Sequence, residues 1–314
     1  MSTSARISPT AFAQRYAVAI ALVIMIVVLS FASDAFLTVR NIANILNQNT
    51  PLAIMAAAMT FVIIGGGFDL SVGAIFGVAS VVCASLALAV DPVIGLIVAP
   101  LVGLALGTFN GVVVTQLRVH SFLATLATGL VFGGLAILIS DGNLIPVRIE
   151  AFTWLGRQQY FGINVAVVVL LLFSVALAFV LGRTGLGRRV YAVGGNEQAA
   201  QLSGIRVDRV RIATFAISGL AAGLASAITV SRISMGQATA GQGMELQAIA
   251  AVILGGTSIY GGEGAVWRSV AGVMLLALIN NGFNILNADP FYKDLATGVV
   301  ILLAVGVSVA GKRS

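Results

Sequence analysis

Two short patterns carry the chemistry this sequence offers. Gly65-Gly66-Gly67-Phe68-Asp69-Leu70 and Gly241-Gln242-Gly243-Met244-Glu245-Leu246 both read Gly-x-Gly, large apolar, acid, Leu. Each sets flexible backbone and one carboxylate inside long apolar sequence, and both features are costly in a bilayer. Two such places point to a pathway. Other chemistries are excluded. The lone His120 and lone Cys83 cannot by themselves build a metal cluster. His120 reads as a topology or cap residue at a helix entry, and Cys83 as a packing residue. The two lysines, Lys293 and Lys312, fit no Gly-x-x-x-x-Gly-Lys phosphate loop. ATP hydrolysis, if coupled to this chain, belongs to another polypeptide.

The elements that must position these residues are transmembrane helices. The chain of 314 residues is 59% hydrophobic and 9% charged, more apolar than a soluble core of this length needs. Apolar runs of roughly 20 residues recur throughout, and they are continuous rather than alternating, which excludes a barrel. The reading is an all-α, polytopic transmembrane helical bundle forming one permease-like domain over 1–314. Ten spans are predicted near 16–32, 50–65, 70–90, 93–116, 121–140, 164–182, 211–231, 245–260, 268–287 and 294–310. The first is read as a retained helix rather than a cleaved signal. In this layout twelve of the 17 basic residues, among them Arg6, Arg15, Arg188 and Lys312, lie on one side. The positive-inside rule makes that side cytoplasmic, with both termini there. The net charge of +6 is therefore read as topology, with no nucleic-acid partner implied.

The repeat extends beyond its glycines. Asn110-Gly111 is echoed by Asn281-Gly282, and Leu126-Ala127-Thr128-Gly129 by Leu295-Ala296-Thr297-Gly298. Spans two to five thus pair with spans seven to ten. An odd number of spans separates the partners, so the copies are inverted, as in many transporters.

Several residues are candidates for a translocation path. Gly66 and Gly67 break a helix at a cost of roughly 1 kcal/mol each relative to alanine, and Asp69 or Ser71 can cap the next one. Two readings stand: an ordinary capped turn, or a break lining the path. Glu245 carries the same ambiguity. Asn47 and Gln48 sit before Pro51 and read first as a helix start at the interface. Asn281 lies with Asn280 and Asn284 in the ninth span, where amides either bridge helices or face the path. The most polar stretch, 182–211, is predicted cytoplasmic. Within it Asn196 can cap a short helix, Glu197 suits its first turn, and Gly204 can end it.

Gly66-Gly67-Phe68-Asp69-Leu70-Ser71-Val72-Gly73, the loop from Gly194 to Ile205 and Leu254-Gly255-Gly256 resemble ribose-type permeases of ATP-binding-cassette importers. The similarity covers about 41–309 and is specific to the permease superfamily, much less to the solute. It implies a monosaccharide or polyol as cargo, with branched-chain amino acids or nucleosides as the alternative. An ion-coupled secondary transporter is the competing class. The resemblance further implies a permease dimer, cytoplasmic ATPases holding ATP and Mg, a periplasmic sugar-binding protein and a bacterial inner-membrane location. It assigns 183–211 as the ATPase-coupling loop, with Asn196, Glu197, Ala199, Ala200 and Gly204 as its docking segment. Gln198 after Glu197 departs from the fuller Glu-Ala-Ala pattern.

Overall fold

The computed structural model describes residues 9–287 and positions 289, 292, 295, 298, 299 and 302, with side chains placed from Val18 onward. The long helices are α1 (Pro9–Ala32), α2 (Val39–Ile64), α3 (Val72–Ala89), α4 (Pro92–Gln116), α5 (Ser121–Ser140), α7 (Val165–Arg183), α10 (Val207–Ile233) and α12 (Val266–Ile285). Shorter ones are α6 (Trp154–Arg157), α8 (Gly185–Gly195), α9 (Glu197–Leu202) and α11 (Met244–Leu254). Two antiparallel ribbons tie loops together, β1 (Ile145–Pro146) with β4 (Met235–Gly236) and β2 (Gln159–Tyr160) with β3 (Ile163–Asn164). Among the described residues, seven helices are long and apolar enough to cross a membrane. The protein is a polytopic helical bundle, as the sequence predicts.

Helix starts follow from local chemistry. Thr38, Asp91, His120 and Asn164 each accept a hydrogen bond from the first turn of α2, α4, α5 and α7, which satisfies otherwise free N–H groups. The expected cap role of His120 is thus observed.

Helices α2, α3 and α10 form the centre. Every residue from Thr50 to Ile64 of α2 is buried. The tightest pairing joins α4 to α10. Gly103, Gly107 and Gly111 of α4 face Gly219, Ile212 and Phe215 of α10 so closely that a methyl on any of these α4 glycines would strike the opposite backbone. With no hydrophobic force between helices in lipid, small residues at four-residue spacing let backbones approach and gain dispersion contact. The lipid-facing flanks of α5 and α7 carry exposed Leu130, Leu138, Leu172 and Phe179.

Two expected spans differ from what is observed. The second begins at Val39 rather than near 50. Pro51 looks like a helix start because it has no N–H for the carbonyl four residues back. That carbonyl, on Asn47, instead accepts from Arg232 Nη1 at 2.5 Å, so the helix runs on through the proline. The eighth span, expected over 245–260, ends at Leu254, since Gly255 caps it and Gly256 turns left-handed at φ 80°. Eleven residues rise only ~16 Å, too little to cross a hydrocarbon core. Most of the tenth, 294–310, lies outside the described residues, as do Arg6, Lys312, Arg313 and the repeat element Leu295–Gly298 as a unit. The described residues therefore do not reproduce a count of ten.

Candidate functional site

The break after α2 is held by a network of backbone and side-chain hydrogen bonds, in which Asn110 Oδ1 is left buried without a partner. Gly65 ends the helix, Gly66 takes φ 80°, and Gly67 N–H returns to the Val62 carbonyl. The chain then crosses under α5. Phe68 N–H donates to Ser121 Oγ at 3.0 Å and Leu70 N–H to Thr125 Oγ1 at 3.0 Å. Asp69 is fully buried. Its Oδ1 accepts from the backbone N–H and hydroxyl of Ser71, and its Oδ2 from Ser218 at 2.9 Å. Asn110 Nδ2 donates to Ser71 Oγ. Ser218 stands seven residues past Arg211 on α10, about 10 Å of helical rise from that charge. Ser121 and Thr125 of α5 thus take up two N–H groups that the broken helix leaves free.

The second motif copy touches the start of α3. A methyl at Gly73 would collide with the Glu245 carboxylate and the Gly241 carbonyl. Glu245 is half-buried, and its Oε1 accepts from Gly243 N–H at 3.2 Å.

The end of α2, the loop after α11 and the end of α8 converge at the arginine-bearing end of the bundle. Gly255–Gly256 ends α11 with the same turn that Gly65–Gly66 gives α2. Gly262 N–H donates to the Ile64 carbonyl at 2.9 Å, joining the loop after α11 to the end of α2. Gly194, near the end of α8, sits on that bond. A methyl there would strike the Ile64 carbonyl and the Gly262 nitrogen, whereas at Gly195 it would meet open space. Tyr191 on α8 donates its hydroxyl to the Gly264 carbonyl at 2.8 Å. Burial pushes its phenol above the ordinary value, with Arg268 opposing, so it stays a protonated donor at neutral pH.

From this seat α9 projects outward. Asn196 Oδ1 accepts from Ala199 N–H at 2.9 Å, and Gly204 closes the far end at φ 81°. Glu197 of α9 pairs with Arg211 of α10 at 2.6 Å, partly exposed on both sides. Ala200 is buried as the anchor, while Gln198, Ala199 and Gln201 are exposed and Leu202 is 91% exposed. The caps expected at Asn196 and Gly204 are both present.

The opposite end holds a polar cavity of about 290 Å³ between the first half of α2 and the last half of α12. Its lining includes the amides of Asn41, Asn44, Gln48, Asn49, Asn280, Asn281 and Asn284. Asn41 and Asn281 exchange hydrogen bonds at 3.1 and 2.8 Å. Asn280 Oδ1 is buried with no partner.

The expected path residues therefore separate into groups. Gln48 and Asn281 share the amide cavity. Asn47 faces away, lining an apolar cleft of about 230 Å³ with Ile42, Leu46 and Val167. Gly66, Gly67, Asp69 and Ser71 form the break, and Glu245 abuts the start of α3. Sequence reasoning missed Arg232, Gly194 and Asn41. Arg232 answers a carbonyl freed by a proline almost two hundred positions away, for which no local pattern exists. Asn41 had a signal: positions 41, 44, 48 and 49 fall on one helical face.

This architecture, with apolar spans interrupted by hydrogen-bonded breaks and an exposed polar helix at one end, defines a helical membrane permease. The chain belongs to the family described as the branched-chain amino acid transport system permease component, whose model matches residues 41–305. It is 43% identical to the ribose import permease of Bacillus subtilis, over 90% of this chain and 89% of that protein. It is 40% identical to the ribose import permease of Escherichia coli strain K12, over 91% of each. The D-allose transport system permease of the same strain is 37% identical over 88% of this chain and 86% of that protein. No solved structure gives a significant match.

Proposed function

We propose that this chain is the membrane-spanning subunit of an ATP-driven monosaccharide importer of the bacterial inner membrane. In this reading α9 docks on a cytoplasmic ATP-binding-cassette ATPase, which holds the ATP and Mg. A periplasmic binding protein delivers the sugar, and a second permease subunit completes the assembly. The observation that carries the reading is the seat of α8 and α9. A short helix, capped at both ends, presents Ala199 and Leu202 outward while Gly194 behind it rests on the end of α2 and the loop after α11. Force applied to α9 reaches the α2 break through backbone alone, with no flexible side chain between. Rocking that junction shifts Gly66, Gly67 and the Asp69–Ser71 turn, and alternating access follows. The relatives named above are sugar permeases by name, which favours a monosaccharide over an amino acid.

The test is crosslinking in the assembled transporter. Cysteine at Ala199 should link to the ATPase subunit, and ATP should change the yield. Absence of any link from exposed positions 198, 199, 201 and 202 overturns the docking assignment. Transport that persists after the partner ATPase is deleted would favour an ion-coupled carrier instead.

A further inference from the structure

The amide cavity between α2 and α12 holds more polar groups than the packing of two helices requires. Thr60 and Ser269 bridge α2 and α12 farther along, and among the described cavity residues one pair bridges them, Asn41 with Asn281. Asn49 turns its Nδ2 back to the Ile45 carbonyl of its own helix. The other amides are surplus to that task. Asn280 Oδ1 is buried without a partner, although an unpaired buried acceptor costs about 1–3 kcal/mol. Such a cost persists where the group serves something besides the fold.

We propose that this cavity is a solute-binding site for a neutral, polyhydroxylated molecule of monosaccharide size. The proposal rests on the importer reading and names where that importer holds its cargo. Three features select the ligand class. Each amide offers both donors and an acceptor, so it can pair with a hydroxyl in either direction. No charged side chain is among the described lining residues, so a carboxylate or ammonium group would enter without a counter-ion. A volume of about 290 Å³ lies just below the range that holds drug-sized ligands, and so suits a smaller one. The reciprocal Asn41–Asn281 pair is the exchangeable part. Its two hydrogen bonds can be traded for bonds to solute hydroxyls at little net cost, which suits a site that must release what it binds.

The experiment uses the complete transporter in proteoliposomes, with its ATPase and binding protein. The probes are D-ribose, D-allose, L-arabinose, D-xylose and L-leucine. In a Cys83→Ala background, which removes the single native thiol, cysteine is placed at Gln48 in the cavity and at Ile42 on the apolar side. Transport of the accepted sugar is expected to slow thiol labelling of Gln48→Cys about fivefold and leave Ile42→Cys unchanged. Asn280→Leu is expected to lower uptake about tenfold while the loaded binding protein still stimulates ATP hydrolysis. Labelling at Gln48→Cys indifferent to transported sugar, or full uptake by Asn280→Leu, overturns the site but leaves the importer reading intact. Uptake of leucine alone overturns the ligand class. A complex that drives no ATP-dependent uptake of any probe removes the importer reading and this site's purpose with it.

Discussion

Helix α2 meets its neighbours by opposite chemistries at its two ends. At Ile64 the contact is backbone on backbone: Gly262 N–H on a carbonyl, with Gly194 seated against both. At Asn41 the contact is side chain on side chain around a cavity. The glycine end has no spare volume, so a displacement on one side must appear on the other. The amide end has volume and interchangeable partners, so it can change what it holds without moving its helices. A stiff joint suits transmission of force, and a loose polar seam suits brief residence of a solute.

The largest effect should come from filling the stiff joint. Gly194→Ala is expected to abolish uptake while its neighbour Gly195→Ala transports normally, since only the first methyl meets backbone. Measuring ATP hydrolysis beside uptake sharpens the point. Hydrolysis that continues without uptake locates the fault in coupling, and normal uptake by Gly194→Ala breaks the comparison.

Arg232→Met tests the support of the loose end. It leaves the Asn47 carbonyl, freed by Pro51, without its donor. A loss of about 1–3 kcal/mol is expected, seen as a lowered melting temperature of the purified permease. Replacing Pro51 with Ala in the same chain should restore much of it, because the helix then supplies its own N–H.

A smaller effect is expected from Asn41→Leu with Asn281→Leu. Interhelical hydrogen bonds in membranes average about 0.6 kcal/mol in double-mutant cycles. A coupling energy several times larger would make the amide end a rigid clamp and remove the contrast.

The smallest concerns Glu197→Gln. The ion pair with Arg211 is partly exposed on both sides, and such pairs contribute about 0–1 kcal/mol. Stability should barely change. A uniform drop in expression would mean that α9 is held by that pair rather than by its caps and by Ala200.

Much of the architecture was legible because membrane helices are specified locally. Hydropathy marks most of the spans, and Asn196 and Gly204 announce a short capped helix because caps are near-neighbour interactions. Misreadings arose where distant groups intervened. Pro51 looked like a boundary until Arg232 supplied the missing donor. The apolar run after Met244 looked long enough to span, yet its helix ends at Gly255, where the Arg268 backbone approaches too closely for a side chain.

The sequence alone determined the class: a multi-pass helical permease of a sugar-importer type, with one polar handle bearing short-range caps. It also announced the glycine break after α2, since three successive glycines cannot extend a helix cheaply, whereas the break at Gly255–Gly256 fell inside an expected span. Only the tertiary structure decided what those breaks touch. Gly194, Ile64 and Gly262 are far apart in the chain and meet through backbone alone, two of them having no side chain, which leaves no pattern for a reader of residues. The same holds for the seven amides, whose meaning as one cavity depends on the antiparallel packing of α2 against α12.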